Sequence, residues 1–295
     1  MPIVFGNGKD FFTFYKDLQN TKFPIKMIWI LLRTKIIVDS GTKFFNPFKI
    51  LTNNSTIKIT TNHGSGPKAT FSRFHPPDNS EIAIEQIISH YSFDYVNYPS
   101  QYSTEKVAKR NHLLPNEKII SLGYPRCDQY FDSEFVKKNY ESKATVKSLC
   151  SNYNDNAKVI FYTPTWRPYD FEFPLYKMPG FNVIEFNEWL KKRNFYFFYS
   201  IHSTQLPTSI LREYDRIIFI DYDENPFFDV NQFMMEVDIL FNDYSTTSTE
   251  FAILDKPQLF FMPDYDDYSS EKGFVEEYRD ILPGKEINIF SELTY

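Results

Sequence analysis

Short apolar runs recur along this chain, separated by segments whose apolar residues fall at helical spacing. Ile3–Gly6, Lys35–Val38, Ile57–Thr61, Asp94–Asn97 and Ile119–Leu122 read as strands in the first half. Between them, Asp10–Leu18 places Phe11, Phe14, Tyr15 and Leu18 on one helical face, and Glu81–Tyr91 and Ser103–Asn111 also read as helices. The second half repeats the alternation. Strands are expected at Lys158–Tyr162, Phe195–Ile201, Arg216–Asp221, Ile239–Asn242 and Gln258–Met262, with helices at Ile184–Lys192, Val230–Val237 and Thr247–Leu254. Strand and helix in alternation imply parallel sheets covered by helices on both faces, the α/β class. A polar stretch rich in Asn, Lys and Ser, residues 131–157, reads as a boundary, so two doubly wound domains are expected, 1–135 and 150–295, with a cleft between them.

Composition changes this picture little. At 42% apolar and 24% charged residues the chain is that of a folded protein, not a disordered one. Charge adds more, because the net −6 hides a polarity. Residues 1–130 carry 16 Lys and Arg against 10 Asp and Glu, and residues 131–295 carry 16 against 28. A basic first half suits an anionic partner such as phosphate or a membrane surface, and ordinary solvated charge explains it equally well. No dense basic patch with interleaved aromatics points to nucleic acid. Cys127 and Cys150 have neither metal-ligand spacing nor a disulfide framework, which suits a reducing, cytoplasmic compartment. The N-terminus lacks the pattern of a signal peptide, and the most apolar run, Met27–Leu32, is too short to span a bilayer.

Ligands of open α/β sheets bind beyond the carboxyl ends of the strands, so polar residues just after a strand are the candidates. Five clusters qualify. His63-Gly64 with Lys68 offers an imidazole that can serve as a base, or simply a loop histidine. Gly123–Asp128 offers Arg126 to a phosphate, or a turn that starts a helix. Thr163-Pro164-Thr165-Trp166-Arg167 offers Arg167 to a phosphate, or is a surface turn with a structural Trp. His202 stands at the tip of an apolar strand. Asp243-Tyr244-Ser245-Thr246-Thr247 offers hydroxyls and N–H groups to an anion, or an ordinary helix cap, with Glu250 two to three residues inside the helix in reach of a ribose diol. Asp264, Asp266 and Asp267 read as a solvated acidic loop rather than a metal site. No Walker A sequence, full G-x-G-x-x-G or zinc spacing is present.

In this order the clusters resemble the CDP-glycerol glycerophosphotransferase family, which includes teichoic acid polymerases and primases and capsule polymerases. Val237–Thr246, Glu250–Pro257 and Pro263-Asp264-Tyr265 follow the family's strand, Asp-Tyr-Ser-Ser, acidic residue, Lys-Pro and Phe-x-x-Asp. Tyr162–Arg167 looks like its Tyr-Ala-Pro-Thr-Trp-Arg, Gly123–Asp128 like its Gly-x-Pro-Arg-Asn-Asp, and Asn62-His63-Gly64 with Lys68 like its Trp-His-Gly-Thr-x-x-Lys. Departures are Asn62 for Trp, Ser200 for an Arg two before His202, Ser203 for the Pro after it, and Thr246 for the second Ser.

The resemblance implies a GT-B-like architecture, two Rossmann-like domains facing a central cleft, with the acceptor on the N-terminal side and the CDP-alcohol on the C-terminal side. It implies transfer of glycerol or ribitol phosphate from a CDP-alcohol to a hydroxyl of a lipid- or glycan-linked polymer, with release of CMP. His63 and His202 would be catalytic. Arg167, Asp243, Ser245, Thr246, Glu250 and Thr165 would bind the donor, and Lys68 and Arg126 the acceptor or a phosphate. No cofactor or metal is implied. The expected place is the cytoplasm, with peripheral contact at the inner face of the cell membrane. A nucleotide-sugar glycosyltransferase on the same fold and a non-catalytic partner of a polymerase are the competing readings.

Overall fold

The structure is a computed structural model that describes residues 32–39, 53–61, 64, 66, 68, 90–109, 113–165, 167, 174–201, 214–271 and 273–294. The expected strand Ile3–Gly6, the expected helix Asp10–Leu18 and nearly all of the expected helix Glu81–Tyr91 lie outside the described residues.

Two parallel sheets organise the chain. The first has the order β1-β2-β3-β4, from β1 (Ile36–Asp39), β2 (Ile57–Thr60), β3 (Tyr95–Tyr98) and β4 (Ile119–Ser121). Its core holds Phe93, Val96, Tyr98, Val107, Ala108 and Leu114. Between β3 and β4, Ser100 caps the short helix Gln101–Ser103, which runs on as a π-helical turn, Thr104–Ala108. The chain leaves β4 through Gly123, whose φ of +80° is left-handed and open without strain to glycine. Asn97 fixes that turn, donating to Gly123 O at 2.6 Å and accepting from Leu122 N at 3.0 Å.

The second sheet comprises β5 (Lys158–Thr163), β6 (Phe195–Tyr199), β7 (Ile217–Phe219), β8 (Ile239–Asn242), β9 (Gln258–Phe260) and β10 (Lys285–Glu286). Its order is β7-β6-β5-β8-β9-β10, which is the 3-2-1-4-5-6 arrangement of doubly wound sheets. Side chains alternate across it. Val159 and Phe161 enter one core with Phe198 and Phe233, and Ile160 and Tyr162 enter the other with Phe186 and Phe197. Apolar residues on both faces explain why these strands read as continuous apolar runs.

The covering helices have legible ends. Asn182 caps Val183–Arg193 by accepting from Ile184 N and Glu185 N, and Asn194 closes it with a left-handed φ of 57°. Asp229 caps Val230–Glu236.

The polar stretch 131–157, where a boundary was expected, is folded. It forms the helices Ser133–Ser142 and Ala144–Leu149, and Val146, Cys150 and Ala157 enter the core of the second sheet. Its buried polar groups are satisfied internally. Buried Glu236 accepts from Thr145 N at 3.0 Å and Val146 N at 2.9 Å, and Lys143 bonds Glu236 O and Asp238. Lys256, of the Lys-Pro pair, donates to Met235 O and Val237 O at 2.7 Å each, so it caps the last carbonyls of the helix before β8.

Candidate functional site

The order of the second sheet reverses between β5 and β8, and their carboxyl ends lie side by side, with Thr163 in register with Asn242. At such a switch point the loops after the two strands diverge and leave a crevice. The loops here are Pro164–Arg167 and Asp243–Thr246.

Asp243 ties these loops together. Its carboxylate accepts from Thr165 N at 2.9 Å, from Thr165 Oγ1 at 2.7 Å, and from Arg167 Nη1 at 2.8 Å. Arg167 donates Nε and Nη2 to Asp264, at 2.5 and 2.8 Å, and Nη1 also to Thr165 O at 2.7 Å. Asp264 further accepts from Tyr244 Oη at 3.1 Å. Three strand ends are therefore joined by one cation between two carboxylates.

Arg167 is only 1% exposed, which corrects the expectation that it meets a phosphate. Its fork is occupied by carboxylates, and a residue this deep acts by holding others. Burial alone would lower its pKa, but Asp243 and Asp264 outweigh that and hold it above its ordinary value. Burial would raise the Asp264 pKa, yet the hydrogen bonds and charge of Arg167 keep it below the usual range. Asp264 is thus a structural anion, not part of a solvated acidic loop. Asp243 likewise spends its oxygens on protein donors rather than on a ligand.

The other expected residues fall into two groups. Ser245 Oγ lies 3.0 Å from Thr247 Oγ1 and accepts from Thr247 N at 3.4 Å, a local turn just before the helix Thr247–Phe251, whose N-cap Thr246 makes no side-chain cap. Thr165, Ser245 and Thr246 are half-buried at the crevice. Arg126 and Glu250 are partners: the guanidinium donates to the carboxylate at 2.6, 3.0 and 3.2 Å and lies 4.2 Å from the Tyr124 ring centroid. Tyr124, Cys127 and Tyr130 enter the core of the second sheet. Arg126, expected to meet the acceptor or a phosphate, is thus paired with Glu250 and packed beside the core of the second sheet. His63, His202 and Trp166 lie outside the described residues.

The loop after β2 crosses to the second half. Lys68 forms an antiparallel bridge with Phe274, and its Nζ lies 6.0 Å from the Tyr268 ring centroid. Gly64 and Gly66 press on Thr246, where a Cβ would stand 3.1 Å from Oγ1 and 2.5 Å from Cγ2 respectively. At residue 66 a side chain would force a shift, and at residue 64 it would be a tight contact, so glycine permits the close approach there. The platform that receives the loop is aromatic. Tyr244 and Tyr268 stack at 4.0 Å, and Phe274 and Tyr278 at 4.8 Å. The sequence reading missed this platform, because its rings are scattered over 244–278 without helical or strand period.

Lys68 is thus held against the second half. Burial lowers its pKa from 10.5 to about 8, with Asp243 opposing and Arg167 adding to the shift. The unfolded chain then binds this proton more tightly than the native state between about pH 8 and 10.5, so unfolding free energy rises with pH across that window. Lys68→Met removes the rise. Denaturant titrations of both proteins at pH 7.5 and 9.5 should show wild type gaining on the variant; parallel behaviour would contradict the burial of this amine. Lys143 and Lys256 shift in the same direction but are common to both proteins.

Among the described residues no group of His, Cys, Asp and Glu could hold a metal ion, and no helix is long and apolar enough to cross a membrane.

A family model for CDP-glycerol:poly(glycerophosphate) glycerophosphotransferases matches residues 15–295. The chain belongs to this family. A relative is the teichoic acid poly(ribitol-phosphate) polymerase of Bacillus spizizenii, 27% identical over 280 residues that cover 91% of this chain and 42% of the relative. Among solved structures, a form of the wall teichoic acid polymerase TagF superposes with a TM-score of 0.66 at 24% identity, covering 88% of this chain and 62% of TagF. Another form, soaked with CDPG, gives 0.64 at 23% identity over 88% of this chain and 61% of that one. The UDP-GlcNAc 2-epimerase of Methanocaldococcus jannaschii gives 0.52 at 14% identity, covering 94% and 72%. The chain thus spans about four-tenths of the curated relative and six-tenths of TagF. Its fold is α/β and GT-B-like, as expected from the sequence.

Proposed function

We propose that the chain transfers a polyol phosphate from a CDP-alcohol, CDP-glycerol or CDP-ribitol, to a hydroxyl of a cell-surface polymer. The observation that carries this reading is the meeting of the 64–68 loop with Thr246 at the switch point, in a chain of the glycerophosphotransferase family. It joins two clusters that the sequence spaces far apart. The acceptor oxygen attacks the β-phosphorus of the donor, a new P–O bond forms, and the bond to the CMP oxygen breaks. The acceptor proton passes to a base, the role given to His63. His202, next to buried Ile201 beyond β6, helps hold the pyrophosphate.

Thr165, Ser245 and Thr246 line the donor crevice. Glu250 accepts from the ribose diol while Arg126 holds its carboxylate in place, since a carboxylate has lone pairs for both. Arg167, Asp243 and Asp264 are the buried frame beneath. Phosphoryl transfer needs mainly such positioning and electrostatic stabilisation. The basic first half suits a lipid-linked acceptor at the inner membrane face.

The test compares CDP-glycerol, CDP-ribitol and UDP-GlcNAc, first for raised melting temperature, then for release of the nucleoside monophosphate or diphosphate. A CDP-alcohol near 100 times its Kd should stabilise the fold by about 2.7 kcal/mol and yield CMP when acceptor is present. Stabilisation by UDP-GlcNAc alone, with UDP release, would replace this reading with a glycosyltransferase. Binding of a CDP-alcohol without turnover on any glycerol-phosphate acceptor would reduce it to a binding protein.

A further inference from the structure

Away from the strand ends, one carboxylate fastens the two halves of the molecule. Glu276 follows the platform residue Phe274. It accepts from Tyr102 Oη at 2.7 Å and forms an ion pair with Lys106. Both partners sit on the helical segment Gln101–Ala108, between β3 and β4 of the first sheet. Lys106 and Glu276 each expose 27% of their side chains, so the pair is partly withdrawn from water and less screened than an open surface pair. Burial and then Glu276 raise the Tyr102 pKa to about 12, which keeps this hydroxyl a donor at any physiological pH.

The segment bearing Glu276 is anchored on the platform. Phe274 lies parallel to Tyr278, 8° between planes, and Tyr278 Oη donates to Asp243 O at 2.8 Å. A short path of packed groups therefore runs from Glu276 to the switch point. The backbone of Phe274, two residues before Glu276, is the one bridged by Lys68. Glu276 and Lys68 thus hold the first half at two points of one platform, one remote from the crevice and one beside it.

We propose that Glu276 is a positioning residue: through Tyr102 and Lys106 it sets how closely the first half sits over the donor crevice, and so how the acceptor hydroxyl meets the donor. Its effect on turnover rests on the transferase reading; its effect on the spacing of the halves does not. No motif contains Glu276, and no role was expected for it from the sequence.

The test is a charge swap with two readouts. Glu276→Lys places two ammonium groups together, Lys106→Glu places two carboxylates together, and the double variant restores the pair. For spacing, spin labels are placed at Glu117→Cys on the first half and Glu185→Cys on the second; both sites are exposed, and the native Cys127 and Cys150 are buried. Each single swap should lengthen or broaden the label distance, and the double swap should return it. For turnover, each single swap should lower kcat for CMP release about tenfold with KM for CDP-glycerol within about twofold, and the double swap should recover most of the loss. An unchanged label distance in both single variants would overturn the latch, whether or not the protein turns over CDP-glycerol. A changed distance with unchanged kcat would overturn the positioning role. A wild type that releases no CMP leaves the distance measurement to decide the latch and rejects the transferase reading alone.

Discussion

Replacing Arg167 by Met is expected to lower the unfolding free energy by about 3–5 kcal/mol, the cost of leaving a buried charge without its partner. Among the described residues the guanidinium is the cation that Asp243 and Asp264 share, all three being nearly inaccessible, with side-chain exposures of 2%, 1% and 9%. Its loss leaves two carboxylates facing one another in a site that water does not reach. Arg167→Lys should rescue little. An ammonium carries the charge but lacks the planar fork that meets Asp264 through Nε and Nη2 while Nη1 turns to Asp243. The deficit should depend on pH. In wild type, the Asp264 pKa is depressed, so its contribution is present above the unfolded value near 3.8 and is lost only as pH falls through the folded one. In the variant, burial without a cation raises it, so acid protonates the native carboxyl first and relieves the repulsion. Urea titrations at pH 7 and 5 should show the gap between variant and wild type narrowing on acidification. A gap that is constant or below about 1 kcal/mol would mean that water or a neighbour takes over the role of the guanidinium.

The same residues show what a sequence can and cannot tell. β5, β6 and β8 were legible because they are buried on both faces, so nearly every residue is apolar. Strand ends then pointed to Thr165, Arg167, Asp243 and Ser245 by a rule of topology alone. What these groups do was not legible, because it depends on partners distant in sequence. Arg167 and Asp264 are 97 residues apart, and a basic residue after a strand looks the same whether it meets a phosphate or a buried acid. The same holds for Arg126 and Glu250, 124 residues apart, which were given to different ligands and prove to be a pair. The helices of residues 133–149 were hidden by their polarity: Asn139, Lys143 and the capping Asp132 satisfy backbone or charge inside the fold, which composition cannot distinguish from solvation. β10 has only Lys285 and Glu286, and its pairing with β9 comes from tertiary context rather than from any pattern of its own.

On the proposed transferase reading, a methyl group at residue 66 should cost about 100-fold in turnover, and a methyl removed from residue 246 should return most of it. A Cβ at Gly66 would stand 2.5 Å from Thr246 Cγ2 and 3.5 Å from its Cβ. The first distance is impossible and the second is ordinary contact, so the obstacle is the single Thr methyl. Thr246 is fixed between Ser245 and the helix Thr247–Phe251, and the bridge of Lys68 to Phe274 pins the loop from its far side. In Gly66→Ala one of these must give by about 1 Å, and a displacement of that size in a phosphoryl-transfer site is worth about two orders of magnitude. Thr246→Ser keeps the hydroxyl, restores the second Ser of the family pattern and clears the space above residue 66. The double variant Gly66→Ala/Thr246→Ser should then approach the turnover of Thr246→Ser alone. The loss belongs in kcat rather than in donor KM, because Gly66→Ala displaces the loop of the first half against Thr246 and Thr246→Ser keeps the hydroxyl that faces the donor. Melting shifts with CDP-glycerol should accordingly be equal in all four proteins. A double variant as impaired as Gly66→Ala would show that residue 66 meets something other than Thr246 when the enzyme turns over. A donor-induced shift lost with turnover would place the damage in the donor site itself.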